Sequence, residues 1–368
     1  MIRTQQDIVL GIDLGTSNSC GYISLNGRPT PVVDETGSVI IPSLVYYVPG
    51  GKPVIGNSAK SMKGKKNLCM NAKRLIGRKW DSEFIGSIKE RCNADLRENH
   101  GFPGFFVPVL DRIVSPKEIS VEIIKYIIGC AEKMLNNTHV SKLVVTVPAY
   151  FNSDQRNGTR DAALEASRLS EESVFLLNEP TSAAICYDLP SMQKKQTIMV
   201  YDLGGGTFDV SLMKIKNKQY NVVRLAGDSN LGGSTFNNIL YGVVIKRIRE
   251  GMTDPQREFT MKEEATIHSA CEQIKTNLSS ITVQEMEVEL EDEDVSIKVT
   301  RAEFEDMIRD EIKKTIKITE KCIEEAGMNL SQIDYVAMIG GSTSIPLIRS
   351  MLESTFPMSK VARSGDVR

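Results

Sequence analysis

Two similar stretches of the chain decide its fold: IVLGIDLGTSNSCGYISLNG at residues 8–27 and IMVYDLGGGTFDVSLMKIKN at residues 198–217. Each begins with an apolar run typical of a β-strand, which ends in an aspartate, Asp13 or Asp202. A short turn rich in glycine, serine and threonine then leads into a second, half-apolar run. This order predicts two β-hairpins with glycine-rich tips. A repeated unit indicates two lobes with one topology, which we expect to join near residues 189–196.

The rest of the pattern indicates an α/β architecture. Apolar residues at helical spacing follow Ser115-Pro116 and predict a helix over residues 119–135, and the apolar run at residues 143–148 predicts a buried strand. Another buried strand is expected at Tyr335–Ile339, and alternating apolar residues predict a hairpin at residues 281–300. Strands that alternate with helices in this way are typical of layered α/β proteins.

The chain is long enough for two domains. We expect lobe I to span residues 1–190 and lobe II to span residues 191–368. Each lobe is predicted to carry an inserted subdomain, at about residues 43–113 in lobe I and about residues 232–306 in lobe II.

Composition and charge narrow the possible functions. Of the 368 residues, 41% are apolar and 25% are charged, and the formal net charge of −2 disfavours nucleic acid and anionic membranes as partners. Seven scattered cysteines without a CxxC pair and three dispersed histidines argue against a disulfide framework or a zinc site. We see neither a signal peptide nor an apolar run of membrane-spanning length. These features predict a cytoplasmic protein.

Three glycine-rich turns follow apolar strands: DLGTSNS from Asp13, DLGGGTFD from Asp202 and IGGSTS from Ile339. Glycine lets backbone N–H groups approach an anion closely, and such donors together with Ser and Thr hydroxyls form a phosphate cradle. The sequence lacks the G-x-x-x-x-G-K-[ST] P-loop and a dinucleotide-binding GxGxxG that opens a helix. The turns therefore predict a polyphosphate site of another kind.

Carboxylates accompany these turns. We expect Asp13 and Asp202 to face each other across the two lobes, because two carboxylates beside a polyphosphate can hold magnesium through its waters. Alternatively, each Asp only starts its turn, as a lone Asp often does. Glu179, between an apolar run and Pro180, could orient a water or a hydrated metal, or could only favour the start of a helix.

A helix predicted near residues 262–279 carries Glu272, Lys275 and Ser279. Their offsets of three and seven residues place them on one face. That face could hydrogen-bond a ribose and the edge of a purine. If the sequence had no glycine-rich turns, we would interpret this face as an ordinary solvent-exposed face of a helix.

These motifs together carry a family resemblance. The chain resembles the nucleotide-binding domain of the heat shock protein 70 (DnaK-type) chaperone family over essentially all of its length. The motifs are GIDLGTSNSC, NAKRLIGRK, VVTVPAYFN, NEPTSAA, DLGGGTFDVS, AGDSNLGGSTF, ACEQIKTNLSS and IGGSTSIP. The resemblance implies the actin-like ATPase fold, with two related lobes around a nucleotide cleft. Sugar kinases and actin share that fold without this set of motifs.

The resemblance implies an ATPase that hydrolyses ATP to ADP and phosphate, with Mg²⁺ and K⁺ beside the nucleotide, in a chaperone of protein folding and the stress response. Its nucleotide state would control a peptide-binding domain; this domain, the linker and the family's last helix lie beyond the sequence, which ends at Arg368. One alternative is a divergent regulatory relative that holds nucleotide and cycles poorly. A small-molecule kinase of the same fold is a third, but nothing outside the shared motifs points to an acceptor site.

Catalytic roles follow from the resemblance, position by position. Lys73 corresponds to the catalytic lysine near the γ-phosphate and the attacking water. Glu179 and Asp202, with Asp13, correspond to the carboxylates that order magnesium, mostly through water. Thr207, in the second phosphate turn, completes the catalytic set.

The remaining implied ligands bind potassium and the nucleotide. Asp209 corresponds to a monovalent-cation ligand, and Gly233 is expected to begin a loop over the sugar and phosphates. The resemblance implies nucleotide contacts from Gly15, Thr16, Ser17, Asn18, Gly204, Gly205, Gly206, Thr207, Gly232, Gly233, Glu272, Lys275, Ser279, Gly340, Gly341, Ser342, Ser344 and Asp366.

The resemblance also implies partners: nucleotide-exchange factors, J-domain co-chaperones, and client peptides held by the peptide-binding domain. Pro148 and Arg156 match the relay that couples nucleotide state to that domain. The chain departs from the family where an Arg usually contacts J-domain proteins, because Phe175 stands there. Thr276 and Ser344 replace two arginines that usually sandwich the adenine, which predicts weaker and less selective base binding. Acidic residues common after LGG are replaced by Ser234, Thr235 and Asn237.

Overall fold

The computed structural model divides the chain into two compact units, Met1–Ser182 and Ala183–Arg368. The predicted junction at residues 189–196 lies almost wholly outside the described residues. None of the helices in the described part combines the length and apolar character that crossing a bilayer requires. The structure describes residues 8–25, 28–62, 65–92, 94–186, 196–217 and 219–363.

The first unit is built on one mixed sheet with two smaller sheets and helices around it. Its elements are β1 (Val9–Asp13), β2 (Asn18–Leu25), β3 (Arg28–Pro31), β4 (Ile41–Pro42), β5 (Leu44–Tyr46), β6 (Val54–Ile55), β7 (Leu68–Met70), α1 (Ser82–Cys92), β8 (Asp95–Asn99), β9 (Phe102–Val107), β10 (Arg112–Val114), α2 (Pro116–Met134), β11 (Lys142–Val147), α3 (Ser153–Ser167), β12 (Val174–Asn178) and α4 (Glu179–Cys186), which ends in the second unit.

The main sheet of this unit has the strand order β12-β11-β1-β2-β3. Strands β12, β11 and β1 run parallel, whereas β1, β2 and β3 form antiparallel neighbours. The predicted helix is confirmed as α2: the Ser115 hydroxyl accepts from the N–H of Glu118 in a capping box, and Ile119, Ile123 and Ile127 are fully buried. Helix α2 packs against the sheet, so the core of the unit lies between them.

Two small antiparallel sheets lie within the predicted insert at about residues 43–113. One has the order β6-β5-β7 and the other the order β10-β9-β8. Strand β9 buries Phe105 and Val107, which join the core of the main sheet.

The second unit repeats this plan with longer strands and helices. Its elements are β13 (Gln196–Leu203), β14 (Phe208–Lys216), β15 (Gln219–Asp228), α5 (Gly233–Gly251), α6 (Met261–Asn277), β16 (Val283–Glu289), β17 (Asp294–Thr300), α7 (Arg301–Glu325), β18 (Tyr335–Ile339), α8 (Pro346–Thr355) and β19 (Lys360–Arg363).

The main sheet of the second unit has the order β15-β14-β13-β18-β19. Strands β13, β18 and β19 are parallel, and β13, β14 and β15 are antiparallel, so the connectivity matches that of the first sheet. The two repeated stretches form the hairpins β1–β2 and β13–β14 at corresponding places, which confirms the predicted hairpins and the single topology. In the register, Asp13 pairs with Cys20, and Asp202 pairs with Asp209.

The hairpin predicted at residues 281–300 is confirmed as β16–β17, with Val288 opposite Val295. Both valines belong to the same hydrophobic core as the main sheet and as helices α5, α6 and α7. The predicted insert at about residues 232–306 therefore shares one core with the rest of its unit.

Candidate functional site

The first unit gathers polar side chains at one edge of its main sheet. Because β1, β11 and β12 are parallel, their carboxyl ends meet at the same edge. Asp13 is the last residue of β1, and Glu179 directly follows β12. Thr146, near the end of the intervening strand β11, donates a hydrogen bond of 2.7 Å from Oγ1 to Asp13 Oδ1.

Lys73 forms an ion pair with Glu179, and the Nζ–Oε1 distance is 2.5 Å. Lys73 lies in the short 3₁₀ turn Ala72–Arg74, which follows Asn71 in the left-handed conformation. The side chains of Lys73 and Glu179 are only 10% and 18% exposed. Burial raises the pKa of Glu179, the ammonium of Lys73 opposes that rise, and the negative charge of Asp13 adds to it. The lysine and two of the predicted carboxylates therefore interact within one unit.

The first glycine-rich turn, between β1 and β2, is held in place by two serines. The Gly15 N–H donates to Ser19 Oγ at 3.2 Å, and Ser43 Oγ donates to the Gly15 carbonyl at 2.8 Å. The Ser43 N–H also donates to the Ser17 carbonyl at 2.8 Å. Both serines are buried. Sequence reasoning did not assign Ser43 a role, because its partners lie far from it along the chain.

The second glycine-rich turn, residues 204–207, is hydrogen-bonded to the start of α5. The N–H groups of Gly233 and Ser234 donate to the carbonyls of Gly204 and Gly205 at 3.0 and 2.7 Å. The expectation that Gly233 begins a loop is wrong: Gly233 is the first residue of helix α5. The first N–H groups of a helix have no partner inside it. Here the carbonyls of the turn accept from Gly233 and Ser234, so the helix can begin at Gly233.

Lys275 and Glu272 lie beside this turn. Lys275 is only 9% exposed, and its Nζ donates to Glu272 Oε2 at 2.8 Å and to the Gly233 carbonyl at 3.3 Å. A Cβ at Gly233 would lie 3.0 Å from Lys275 Nζ and 2.8 Å from Ser342 Oγ, so a side chain there would require these two groups to shift. Asn237 Nδ2 also donates to Glu272 Oε2. Asn237 appeared in the sequence only as a departure from the family, and its contact with Glu272 was missed.

The third turn meets the second from the other side. Ser342 Oγ donates to the Gly204 carbonyl at 2.9 Å. Gly340 has φ of +85°, and a Cβ there would approach the Leu203 carbonyl and lie 2.6 Å from Asp202 Oδ1. A side chain is therefore excluded at Gly340 by both backbone conformation and space.

Hydroxyl groups occupy the two positions, Thr276 and Ser344, where the resemblance implies arginines. Ser344 Oγ donates to the Gly341 carbonyl at 2.6 Å and lies 3.3 Å from Ser279 Oγ. Thr276 Oγ1 donates to the Glu272 carbonyl at 2.8 Å. Ser279 lies past the end of α6 at Asn277, so the prediction that it shares a helix face with Glu272 and Lys275 is wrong.

Some predicted ligands stay predictions. Asp13 and Asp202 belong to different units, and the monovalent-cation role of Asp209 is likewise a prediction. Among the described residues, no group of three or more His, Cys, Asp or Glu side chains could hold a metal ion directly. Asp366 lies outside the described residues.

Comparison with known proteins identifies the family of the chain. The family model for the Hsp70 protein matches residues 9–364. The chaperone protein DnaK of Carsonella ruddii (strain PV) is 34% identical over 366 residues, which cover 95% of this chain and 59% of that relative. The chain thus spans about 59% of the length of this curated relative. The match to nearly all of the chain confirms the predicted family and, with it, the predicted α/β class: the chain belongs to the Hsp70 family and has its actin-like ATPase fold.

Proposed function

We propose that this chain binds ATP and ADP with magnesium and hydrolyses ATP to ADP and phosphate, as the nucleotide-binding part of a molecular chaperone. The observation that carries the proposal is the buried ion pair between Lys73 and Glu179 beside Asp13. A lysine and a glutamate whose side chains are both mostly buried at one sheet edge are costly to desolvate, and such arrangements concentrate at functional sites.

The first unit supplies charge for phosphoryl transfer, in which positioning and electrostatic stabilisation are the main catalytic contributions. Lys73 would place its ammonium near the γ-phosphate. Glu179, held by that ammonium at 2.5 Å, would orient the attacking water through its carboxylate oxygens. Asp13, held by Thr146, would accept hydrogen bonds from the water shell of a magnesium ion.

The second unit supplies a backbone surface that suits a nucleotide. The Gly204–Gly206 turn and the start of α5 are joined by backbone hydrogen bonds, and the third turn joins them through the small Ser342 side chain, which suits the close backbone approach that phosphates require. Lys275 and Glu272 beside them would bind the ribose. Asp202 would help order magnesium, Thr207 would contact the phosphates, and Asp209 would hold a potassium ion.

A bound magnesium ion would neutralise phosphate charge during the reaction. Asp13 and Glu179, at one edge of the first sheet, suit such an ion, because carboxylates that act through retained waters are a common way to bind Mg²⁺. The three carboxylates assigned to it are Asp13, Glu179 and Asp202.

The chaperone role extends the proposal beyond this chain. Nucleotide state would control a peptide-binding domain of a longer protein, and nucleotide-exchange factors and J-domain proteins would act on the cycle in the cytoplasm. Arg156 would carry the coupling together with Pro148, and two contacts support this. Its guanidinium donates to Asn178 Oδ1 at 2.9 Å and to the carbonyl of Phe151 at 3.0 Å, which connects the segment after β11 with the residue before Glu179.

A second candidate is a regulatory relative that holds nucleotide and cycles poorly. The hydroxyls of Thr276 and Ser344 are both bonded to backbone carbonyls, so neither forms a charged surface for a base. Phe175 is 47% exposed on β12 and offers no charge to a J-domain.

Single-turnover hydrolysis of ATP by the wild type and Lys73→Ala tests the proposal. We expect the variant to lose about 100-fold or more in rate, in line with removal of one transition-state charge contact, while ADP binding changes far less. Lys79→Ala is the matched control, because Lys79 belongs to the same basic stretch and is exposed. Equal rates in the wild type and Lys73→Ala would show that the ion pair plays no part in hydrolysis. A wild type without magnesium-dependent hydrolysis would favour the second candidate.

A further inference from the structure

Thr146 lies on the strand between those that lead to Asp13 and Glu179, the two carboxylates proposed for magnesium in the first unit. In the sheet order β12-β11-β1 its strand, β11, is the middle one. The parallel register places Ile12 beside Val145 and Val147 beside Asn178. Asp13 therefore flanks Thr146 on one side, and the start of α4 at Glu179 follows on the other.

The direction of the hydrogen bond from Thr146 to Asp13 follows from chemistry. An ionised carboxylate only accepts hydrogen bonds, so the single proton of the hydroxyl points to Asp13 Oδ1 at 2.7 Å. Bonds to an ionised group are stronger than those between neutral partners. Asp13 is exposed, and the terminal torsion of an Asp side chain is otherwise broad.

We infer that Thr146 is a positioning residue: its hydroxyl fixes one oxygen of Asp13 and thereby presents the other to the hydrated magnesium ion. The inference rests on the proposed function of this site. The hydroxyl keeps two acceptor lone pairs after donating, so it can also receive a hydrogen bond from a water beside Asp13. A purely structural role for Thr146 would rest on its preference for strands, which valine shares.

The test compares variants at Thr146 in magnesium titrations of single-turnover ATP hydrolysis. Thr146→Val keeps the branched shape and removes the hydroxyl, Thr146→Ala removes both, and Thr146→Ser keeps the hydroxyl. Thr30→Val on β3 is the matched control, because it makes the same exchange in the same sheet, where the hydroxyl only reaches the Arg28 carbonyl at 3.4 Å.

We expect Thr146→Val and Thr146→Ala to hydrolyse ATP about 10- to 100-fold more slowly, as loss of a hydrogen bond to a charged group implies. Both should need more Mg²⁺ for half-maximal rate and should bind magnesium-free ADP as the wild type does. Thr146→Ser should recover most of the rate, and Thr30→Val should match the wild type.

Two results would overturn the inference. One is a folded Thr146→Val with the rate and magnesium dependence of the wild type. The other is equal loss in Thr146→Ser and Thr146→Val, because serine keeps the hydroxyl and its presence would then fail to sustain the rate. A wild type without magnesium-dependent hydrolysis would instead count against the proposed function, so the two failures are distinguishable.

Discussion

Replacing Thr276 and Ser344 by arginine should tighten ATP binding, because it restores the two guanidinium planes that the family places on the adenine. A guanidinium over an aromatic face contributes roughly 0.5–2 kcal/mol. Two such contacts amount to about 1–4 kcal/mol, which corresponds to about one to three decades in Kd.

Both positions can accept the longer side chain. Thr276 is exposed on α6 and loses only a bond to the carbonyl one turn earlier. Ser344 is half-buried and would give up its bond to the Gly341 carbonyl. Because surface exchanges usually change stability by about 0.5 kcal/mol or less and a neutral hydrogen bond contributes about 1 kcal/mol, the double variant should stay folded.

Calorimetry with ATP, GTP, ADP and inorganic triphosphate measures the effect. We expect Thr276→Arg with Ser344→Arg to bind ATP and ADP more tightly and to prefer ATP over GTP more strongly than the wild type. Inorganic triphosphate should bind both proteins alike. The matched control is Thr276→Lys with Ser344→Lys, which adds the same charge without the planar guanidinium.

Equal ATP affinities in the wild type and the arginine variant would refute this reasoning, since another group would then already cover the base. Lys275 is a poor candidate for that role. The residue is only 9% exposed, and its ammonium is bonded to Glu272 and to the Gly233 carbonyl. Equal gains in the arginine and lysine variants would show that charge alone, and no stacking, accounts for the change.

Two further predictions concern the J-domain surface and acid stability. Phe175→Arg should increase stimulation of ATP hydrolysis by a J-domain protein, whereas Ile40→Arg, an exchange at another exposed apolar residue, should not; strong stimulation of the wild type would contradict this. Glu263 is buried and accepts from Arg257 at 2.7 and 2.9 Å, which with two backbone N–H groups lowers its pKa to about 2. Because the pKa of Glu263 is depressed in the folded state, its ionised form contributes up to about 3 kcal/mol to the free energy of unfolding at pH values above the unfolded pKa of about 4.3. This contribution is lost as the pH falls from there towards 2. Urea unfolding should show Glu263→Gln less stable than the wild type at pH 7 and nearly equal near pH 2; a constant difference at both pH values would rule out this charge effect.

Much of the fold could be predicted because its signals are local. The hairpins β1–β2 and β13–β14 follow from apolar alternation around glycine-rich tips, and α2 follows from Ser115-Pro116 and its apolar spacing. Such patterns depend on neighbours within one or two turns of chain. They predicted element type well and element ends less well, as the end of α6 at Asn277 shows.

The missed features depend on contacts between distant parts of the chain. Ser43 supports Gly15 across 28 residues, and Thr146 supports Asp13 across 133 residues. Neither serine nor threonine carries a periodic signal for such a role, since both are common in turns and strands. The expected loop at Gly233 failed for a related reason: the carbonyls that allow α5 to begin there come from residues 204 and 205.

The site combines positions that packing fixes with positions that packing leaves free. Gly340 tolerates no side chain because of its φ of +85° and its contact with Asp202, and a side chain at Gly233 would require Lys275 and Ser342 to shift. These glycines shape the surface proposed for the phosphates, so a substitution there would disturb the fold together with binding. Thr276, in contrast, is exposed, and Ser344 is half-buried, with its hydroxyl bonded to the Gly341 carbonyl and close to the Ser279 hydroxyl. In the proposed function, phosphate recognition would therefore be constrained by the architecture of the second unit, whereas base selection would depend on side chains that can change with little effect on the fold.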